Sequence, residues 1–220
     1  KLWNAAKFCS MHLENYTNKK PDKLEIFDEW LLRKLNNTIK ETTEAFENYE
    51  YSIPKNSIEN FFWNTFCDYY LEIAKFRLYN AQGDSKKSAQ YVSYNTLLNI
   101  LKLFAPIMPH ITEEIYQTMF KENEKSISIH VSSWPEIIET NPDIEKIGDK
   151  GVLIIQEVRK FKTENKMSLK DPIKLYLDSS DKKQIDLILD DLKAVCNAKE
   201  IIYADNLQSR VTDKIKVEKI

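Results

Sequence analysis

The chain has 220 residues, of which 42% are hydrophobic, and a formal net charge of −2. This length favours one large domain with a small one, and the apolar share is ample for a packed core. The charge excludes a protein that holds nucleic acid through a globally basic surface, so any RNA contact must rest on a local patch and on stacking.

Cysteine spacing and hydropathy narrow the class of protein further. Cys9, Cys67 and Cys196 lie far apart, are odd in number and form no C-x-x-C pair. This fits a reducing compartment and argues against a disulfide framework or a cysteine-based zinc site. The sequence shows no signal-peptide pattern at its start and no stretch of the roughly 20 apolar residues that a membrane span needs. We therefore expect a cytoplasmic protein without a membrane partner.

Helical patterns fill the first part of the chain. Hydrophobic periodicity predicts helices over residues 1–16, 28–49, 57–80, 84–105 and 109–120. Asp28, Ser57 and Asp84 are the expected N-caps, and Pro109 suits a first helical turn. The alternation of polar and apolar residues over 126–131 predicts one short strand leaving these helices. Residues 1–134 are thus predicted to form an antiparallel helical bundle with short loops.

The pattern changes after Pro135 and Pro142. Residues 145–166 and 181–195 have helical periodicity, whereas 173–177 and 200–203 are typical of strands. Residues 211–217 alternate again and carry enough charge for an edge strand. The predicted fold class is therefore mainly α, with the bundle followed by a small α/β subdomain over residues 135–220.

The first helix carries a candidate binding face. Asn4 and Phe8 lie one turn apart, outside the core stripe, and Lys7 flanks them. Such a group suits an unpaired base, since a ring can stack on it, an amide can read its edge and a cation can meet its phosphate. Spacing alone favours the alternative that Phe8 packs on a neighbouring helix, because bundle helices often bury two faces.

The helix predicted at 57–80 is apolar around most of its circumference and must be central. Its two stripes are Ile58, Phe62, Phe66, Tyr69, Ile73 and Phe76, and Trp63, Cys67, Tyr70, Leu71, Ala74 and Leu78. Asp68 and Glu72 lie between them, but carboxylates at this spacing are more typical of salt bridges than of catalysis or metal binding. Phosphate-binding loops and nucleophile motifs are missing, so we expect no catalytic residue and no metal ligand in this chain.

A basic cluster marks the end of the helix predicted at 145–166 and its exit loop. Its members are Arg159, Lys160, Lys162, Lys166 and Lys170. Such a cluster suits RNA phosphates. Lysines are equally favoured at a helix C-terminus by the helix dipole, so a solvated helix end remains an equal alternative.

Four motifs resemble one family in order along the chain. K-L-W-N-A-A-K-F at residues 1–8 is similar to the helix that opens the anticodon-binding domain of valyl-tRNA synthetases. D-E-W-L-L-R-K-L at 28–35, F-C-D-Y-Y-L-E at 66–72 and L-F-A-P-I-M-P-H-I-T-E-E at 103–114 resemble later family motifs. The last occurs in several class I synthetases, including the isoleucyl and leucyl enzymes, whereas the first and third together are more specific to the valyl enzymes.

The resemblance implies a function for this region. Valyl-tRNA synthetases join valine to tRNA(Val) with ATP, and their catalytic signatures are not in this chain, so it implies a non-catalytic fragment without a cofactor of its own. The implied partners are the anticodon stem-loop of tRNA(Val) and the catalytic and editing domains of the same synthetase.

The resemblance also implies an anticodon-binding pocket. In the family, residues equivalent to Asn4, Phe8 and Leu71 line it, with Lys7 where arginine is frequent; lysine would make only a point-charge contact there. Because the residues themselves place Asn4 and Phe8 off the core stripe, we favour the pocket over packing for these two. The alternatives are the same region of isoleucyl-tRNA synthetase and a helical scaffold that binds protein through exposed aromatic side chains.

Overall fold

The computed structural model describes residues 1–13, 16–17, 19–205, 207 and 215–220. Its helices up to residue 124 are α1 (Leu2–His12), α2 (Ile26–Glu47), α3 (Ser52–Asn60), α4 (Leu71–Asn80), α5 (Gly83–Phe104), α6 (Pro109–Met119) and α7 (Lys121–Glu124). A π-helical segment, Phe61–Tyr70, joins α3 to α4. The predicted helix at 1–16 ends at His12, and its residues 14 and 15 lie outside the described part.

The core of the bundle lies between α2, α5 and the continuous helix formed by α3, the π-helical segment and α4. This helix is central, as its apolar circumference predicts. The largest fully buried side chains of the bundle are Phe27, Phe62, Phe66, Tyr70, Tyr94, Phe104, Tyr116 and Phe120. Burying one such ring stabilises the fold by roughly 1.5–3 kcal/mol. The prediction of a mainly helical fold with a small α/β part is confirmed.

The three predicted N-caps are wrong. Helix α2 begins at Ile26, so Asp28 lies in its first turn, fully buried. Ser57 lies inside α3, where its hydroxyl donates to Glu41 at 2.6 Å. Asp84 is the second residue of α5, which Gly83 begins with a φ of 67°. Residues that favour caps also make other hydrogen bonds, and tertiary partners hold Asp28 and Ser57 at their positions.

The π-helical segment changes which side chains face the core after it. Its hydrogen bonds run from residue i to i+5, so it holds more residues per turn than an α-helix. A wheel with 3.6 residues per turn is therefore less accurate along this helix. Phe76, predicted on the core stripe with Phe62 and Phe66, is 52% exposed, whereas Arg77 is buried.

The strand predicted at 126–131 is wrong. A single 3₁₀ turn, Ile129–Val131, occupies this region. The carboxylate of Glu113 accepts hydrogen bonds from the backbone N–H of Ile129 at 3.0 Å and the hydroxyl of Ser128 at 2.8 Å. A side chain of α6 thus supplies the hydrogen bonds that a neighbouring strand would otherwise provide.

The second part combines one long helix with a small sheet. Helix α8 (Ile144–Glu164) is followed by β1 (Ile173–Asp178), α9 (Lys182–Ile185), α10 (Leu189–Cys196), β2 (Ala198–Ala204) and β3 (Ile215–Lys219). In the described sheet, β1 lies between a parallel β2 and an antiparallel β3. The edge strand predicted at 211–217 is confirmed over 215–217, while 211–214 lie outside the described residues. The helix predicted at 181–195 is interrupted by a 3₁₀ turn, Asp186–Ile188.

Helices α8 and α10 pack against the bundle. Gly148 of α8 lies so close to α2 that an added Cβ would stand 2.3 Å from the ring of Trp30. The indole N–H of Trp30 donates to Asp149 at 2.8 Å, and Nε of Arg77 donates to Asp191 of α10 at 3.0 Å. The division near residue 134 stays a prediction. Within the described residues, every helix is too short or too polar to cross a membrane.

Candidate nucleic-acid interface

Helices α1 and α4 run side by side in the same direction. Nζ of Lys1 lies 4.2 Å from the centroid of the Trp63 ring, in the π-helical segment that leads into α4. Further along both helices, the ring of Phe8 lies 6.4 Å from that of Tyr79, and the ring of His12 lies 4.4 Å from it. The contacts therefore advance along both chains together, and successive turns of α1 face successive turns of the second helix.

Asn4 and Phe8 lie on the edge of α1 that borders α4. Phe8 is half-buried and Asn4 is exposed. Asn4 lies one turn before Phe8 on α1, and Leu71 lies one turn before Lys75 on α4. Leu71 is only 7% exposed, so it can contribute an apolar wall but not a stacking surface. The structure thus brings Phe8 against α4, while the approach of Asn4 to Leu71 stays a prediction.

Lys7 lies on the other edge of α1. With Trp3 and Ser10 it lines a groove of about 320 Å³ against Met119 of α6. Nζ of Lys75, by contrast, lies 5.9 Å from the centroid of the Phe8 ring and 2.5 Å from the carboxylate of Glu72. The cation in contact with the Phe8 ring is therefore Lys75, whereas Lys7 lines the groove toward α6.

Lys75, Tyr79 and His12 complete this face, and the sequence analysis did not assign them to it. The signal that could have found them is the spacing of Leu71, Lys75 and Tyr79, each one turn apart. We call the set Asn4, Phe8, His12, Leu71, Lys75 and Tyr79 the α1–α4 face. The exposed ring of Tyr79 and the half-buried rings of Phe8 and His12 give this face three aromatic surfaces.

Lys75 is the charged side chain of the α1–α4 face. Burial, helped by the nearby charge of Lys86, lowers the pKa of His12, so its imidazole is neutral at neutral pH. Its Nε2 is buried and meets no hydrogen-bond partner among the described residues. Beyond His12, a groove of about 450 Å³ is lined by Lys86 and Lys87. A face with neutral rings, an amide and ammonium groups can bind a base and its phosphates.

Thiol or metal chemistry is not favoured at this face. Burial raises the pKa of Cys9 and of Cys67 to about 12, so neither thiol is a nucleophile at neutral pH. The described part of the chain contains no group of three or more histidine, cysteine or acidic side chains arranged to hold a metal.

The predicted basic cluster divides in the structure. Lys160, Lys166 and Lys170 are exposed, and the guanidinium of Arg159 lies 5.0 Å from the centroid of the Tyr69 ring. These four remain candidates for phosphate contacts.

Lys162 differs from them, and its assignment to phosphate is wrong. Its side chain is buried, and its ammonium donates to the carbonyls of Leu169, Asp171 and Cys196 at 2.7, 2.8 and 2.9 Å. Burial lowers the pKa of Lys162. This side chain fastens the exit loop and the end of α10 to α8.

Comparisons with known proteins identify the family of this chain. A family model described as the anticodon-binding domain of tRNA ligase matches residues 28–177. The chain is 42% identical to the valine–tRNA ligase of Rickettsia typhi over 99% of itself and 27% of that protein. It is 37% identical to the valine–tRNA ligase of Methanothermobacter thermautotrophicus over 91% of itself and 23% of that protein.

These matches establish the family of the chain and the part of the longer relatives that the chain spans. The chain spans about a quarter of the length of the curated relatives it matches. The family model covers most of the bundle and continues into β1. The chain belongs to the family of anticodon-binding domains of tRNA ligases.

Proposed function

We propose that this chain recognises the anticodon of tRNA(Val) as the anticodon-binding part of a valine–tRNA ligase. The observation that carries this proposal is the α1–α4 face, where an exposed asparagine and a half-buried phenylalanine lie one turn apart beside a lysine. The likeness to valine–tRNA ligases along nearly the whole chain supports the choice of amino acid.

Each side chain of the face has a distinct part in the proposed recognition. The ring of Phe8 stacks on an unpaired base, a contact worth about 1–3 kcal/mol. Leu71 provides an apolar wall behind it. The amide of Asn4 makes hydrogen bonds to the base edge, and a base that leaves this amide unpaired is rejected. The ammonium of Lys75 meets the phosphate between neighbouring nucleotides.

The activity of the whole ligase follows from the same proposal. The whole ligase joins valine to tRNA(Val) with ATP, and its catalytic and editing domains lie outside this chain, which needs no cofactor of its own. Holding the anticodon selects the tRNA and adds binding free energy to the contacts that the rest of the ligase makes. We expect the parent protein to work in the cytoplasm.

Base substitution in the anticodon tests the proposal. Changing the middle or last anticodon base of a valine stem-loop should weaken binding by about 1–3 kcal/mol. Asn4→Ala or Phe8→Ala should erase that preference. Tyr51→Ala is the matched control, since this exposed ring lies in the turn between α2 and α3. Preserved discrimination in both α1 variants would overturn the assignment of the face.

One observation favours the protein-binding scaffold as a second candidate. Tyr49 and Tyr51 are 78% and 61% exposed, and their rings lie 6.4 Å apart. The ring of Phe46 lies between Tyr51 and Trp134, at 6.2 and 5.7 Å from them. This cluster is separate from the α1–α4 face, so the same control variant tests it: a scaffold loses its protein partner in Tyr51→Ala and keeps it in Phe8→Ala.

A further inference from the structure

A second groove adjoins the α1–α4 face. It encloses about 390 Å³ between α4, α8, the loop after α8 and the end of α10. Lys75 lines this groove, and its ammonium also lies 5.9 Å from the Phe8 ring. One lysine therefore belongs to both places, and a strand that leaves the face past Lys75 enters the groove.

The wall of the groove offers apolar surface. Phe76 and Leu169 both line it and are 52% and 60% exposed, although both are large apolar side chains. Ile155 and Val158 form its buried floor. A half-exposed aromatic ring beside an apolar floor is a surface on which a base can stack.

The rim of the groove is basic. Its cations are Lys75, Arg159 and Lys170, and its acidic side chain is Glu72, which pairs with Lys75 at 2.5 Å. Among the described residues, the guanidinium of Arg159 and the ammonium of Lys170 meet no carboxylate and no hydrogen-bond acceptor. Arg159 is held in place by its contact with the ring of Tyr69. Two cationic side chains without a carboxylate partner, next to an apolar wall, are complementary to a nucleotide, which joins a planar base to a phosphate.

We propose that this groove holds one unpaired nucleotide of the same RNA strand whose neighbouring bases occupy the α1–α4 face. The base stacks on Phe76, and its phosphate contacts Arg159 and Lys170. The inference rests on the proposed function, and it gives the α/β part of the chain a direct contact with the RNA. It also explains why a large aromatic side chain stays exposed at the start of the groove.

Protein and RNA substitutions together test the groove. Phe76→Ala should raise the Kd of the chain for an anticodon stem-loop about 5- to 160-fold, the size of one lost base stack. Tyr51→Ala, at an equally exposed ring elsewhere, should leave the Kd unchanged. Stem-loops that lack one loop base each then locate the nucleotide. At one position, removal of the base should leave Phe76→Ala without further effect, while Phe8→Ala still weakens binding.

The outcomes separate this inference from the proposed function. If Phe8→Ala weakens binding and Phe76→Ala does not, the groove is empty of RNA and the proposed function stands. If neither variant weakens binding, both fail. If Phe76→Ala has the same effect with every loop base removed, the loss is structural and the groove assignment fails. Lys170→Gln distinguishes a lost RNA contact from a structural loss, because the Lys170 side chain is exposed. The proposal predicts weaker RNA binding and an unchanged unfolding temperature for this variant.

Discussion

Arg77 of α4 and Asp28 of α2 form a buried, bidentate ion pair. Nη1 of Arg77 lies 2.7 Å from Oδ2 of Asp28, and Nη2 lies 2.8 Å from Oδ1. The hydroxyls of Tyr70 and Ser88 donate to the same carboxylate, and Nε of Arg77 reaches Asp191 of α10. This network ties α4, which carries half of the α1–α4 face, to the bundle on one side and to the α/β part on the other.

Removing the arginine should leave two buried carboxylates without their cation. We expect Arg77→Met to lower the free energy of unfolding by about 3–5 kcal/mol, because breaking a buried pair from one side costs far more than the pair contributes. Chemical denaturation measures this. Arg33→Met is the control: Arg33 pairs with Glu145 at 3.3 Å on a partly exposed surface, and its loss should cost about 1 kcal/mol or less. Equal losses would contradict the role of the network.

Asp191 should make the stability of the chain depend on pH. Burial raises its pKa to about 6, against the opposing effect of Arg77, whereas the unfolded value is about 3.9. The folded state therefore binds more protons between about pH 4 and 6, and the stability contributed by Asp191 falls as pH rises through this window.

Asp191→Asn removes that titration. The free energy of unfolding of the variant, relative to the parent chain, should rise by about 2–3 kcal/mol between pH 4 and 7. Denaturation at several pH values measures it. The exposed neighbour Asp190, changed to Asn, is the control and should show no such trend. A relative stability of Asp191→Asn that is flat with pH would contradict the burial of this carboxylate.

Lys162 and Lys160 should separate stability from RNA binding. Lys162→Met leaves three carbonyls without their donor, so we expect a loss of at least about 3 kcal/mol in the free energy of unfolding. Lys160→Gln, at an exposed site, should change stability by less than about 0.5 kcal/mol. If Lys160 contacts a phosphate, its loss should reduce the salt dependence of RNA binding by about one unit for every tRNA. An unchanged salt dependence would indicate that Lys160 is a solvated lysine near the helix end and contacts no phosphate.

Gly148 should not tolerate a methyl group. An alanine Cβ there would stand 2.3 Å from Cγ and Cδ1 of Trp30, so α8 must move away from α2. We expect Gly148→Ala to cost about 3 kcal/mol. Gly83→Ala is the contrast, since no atom lies within 4 Å of its Cβ and only the φ of 67° opposes alanine, at about 1 kcal/mol. Thermal unfolding ranks the two, and a smaller loss at Gly148 would contradict the close approach.

Local patterns predicted the architecture because helix periodicity and strand alternation are properties of neighbouring residues. The exposed position of Asn4 on α1 is of this kind, whereas Phe8 packs partly against the core. The π-helical segment is not, since no local signal marks where the turn widens. Beyond it, Leu71, Ile73, Ala74 and Leu78 are buried as their stripes predict, but Phe76 is exposed and Arg77 is buried.

The sequence patterns also do not predict interaction partners that lie far apart in the chain. Asp28 had the spacing of an N-cap, but its partner Arg77 lies 49 residues away. Lys162 had the setting of a solvated or phosphate-binding lysine, and only the fold brings the carbonyl of Cys196 to its ammonium. Ion pairs and hydrogen bonds between side chains or carbonyls of different elements are recognised only when the three-dimensional arrangement of those elements is known.

Binding of two anticodon stem-loops tests the central claim most directly. The chain would be titrated at low salt with a labelled valine-tRNA stem-loop beside an isoleucine-type loop of the same length, so that phosphate contacts are equal in both. The α1–α4 face predicts tighter binding of the valine loop, by about 1–3 kcal/mol. Equal affinity for the two loops would contradict anticodon recognition by this chain.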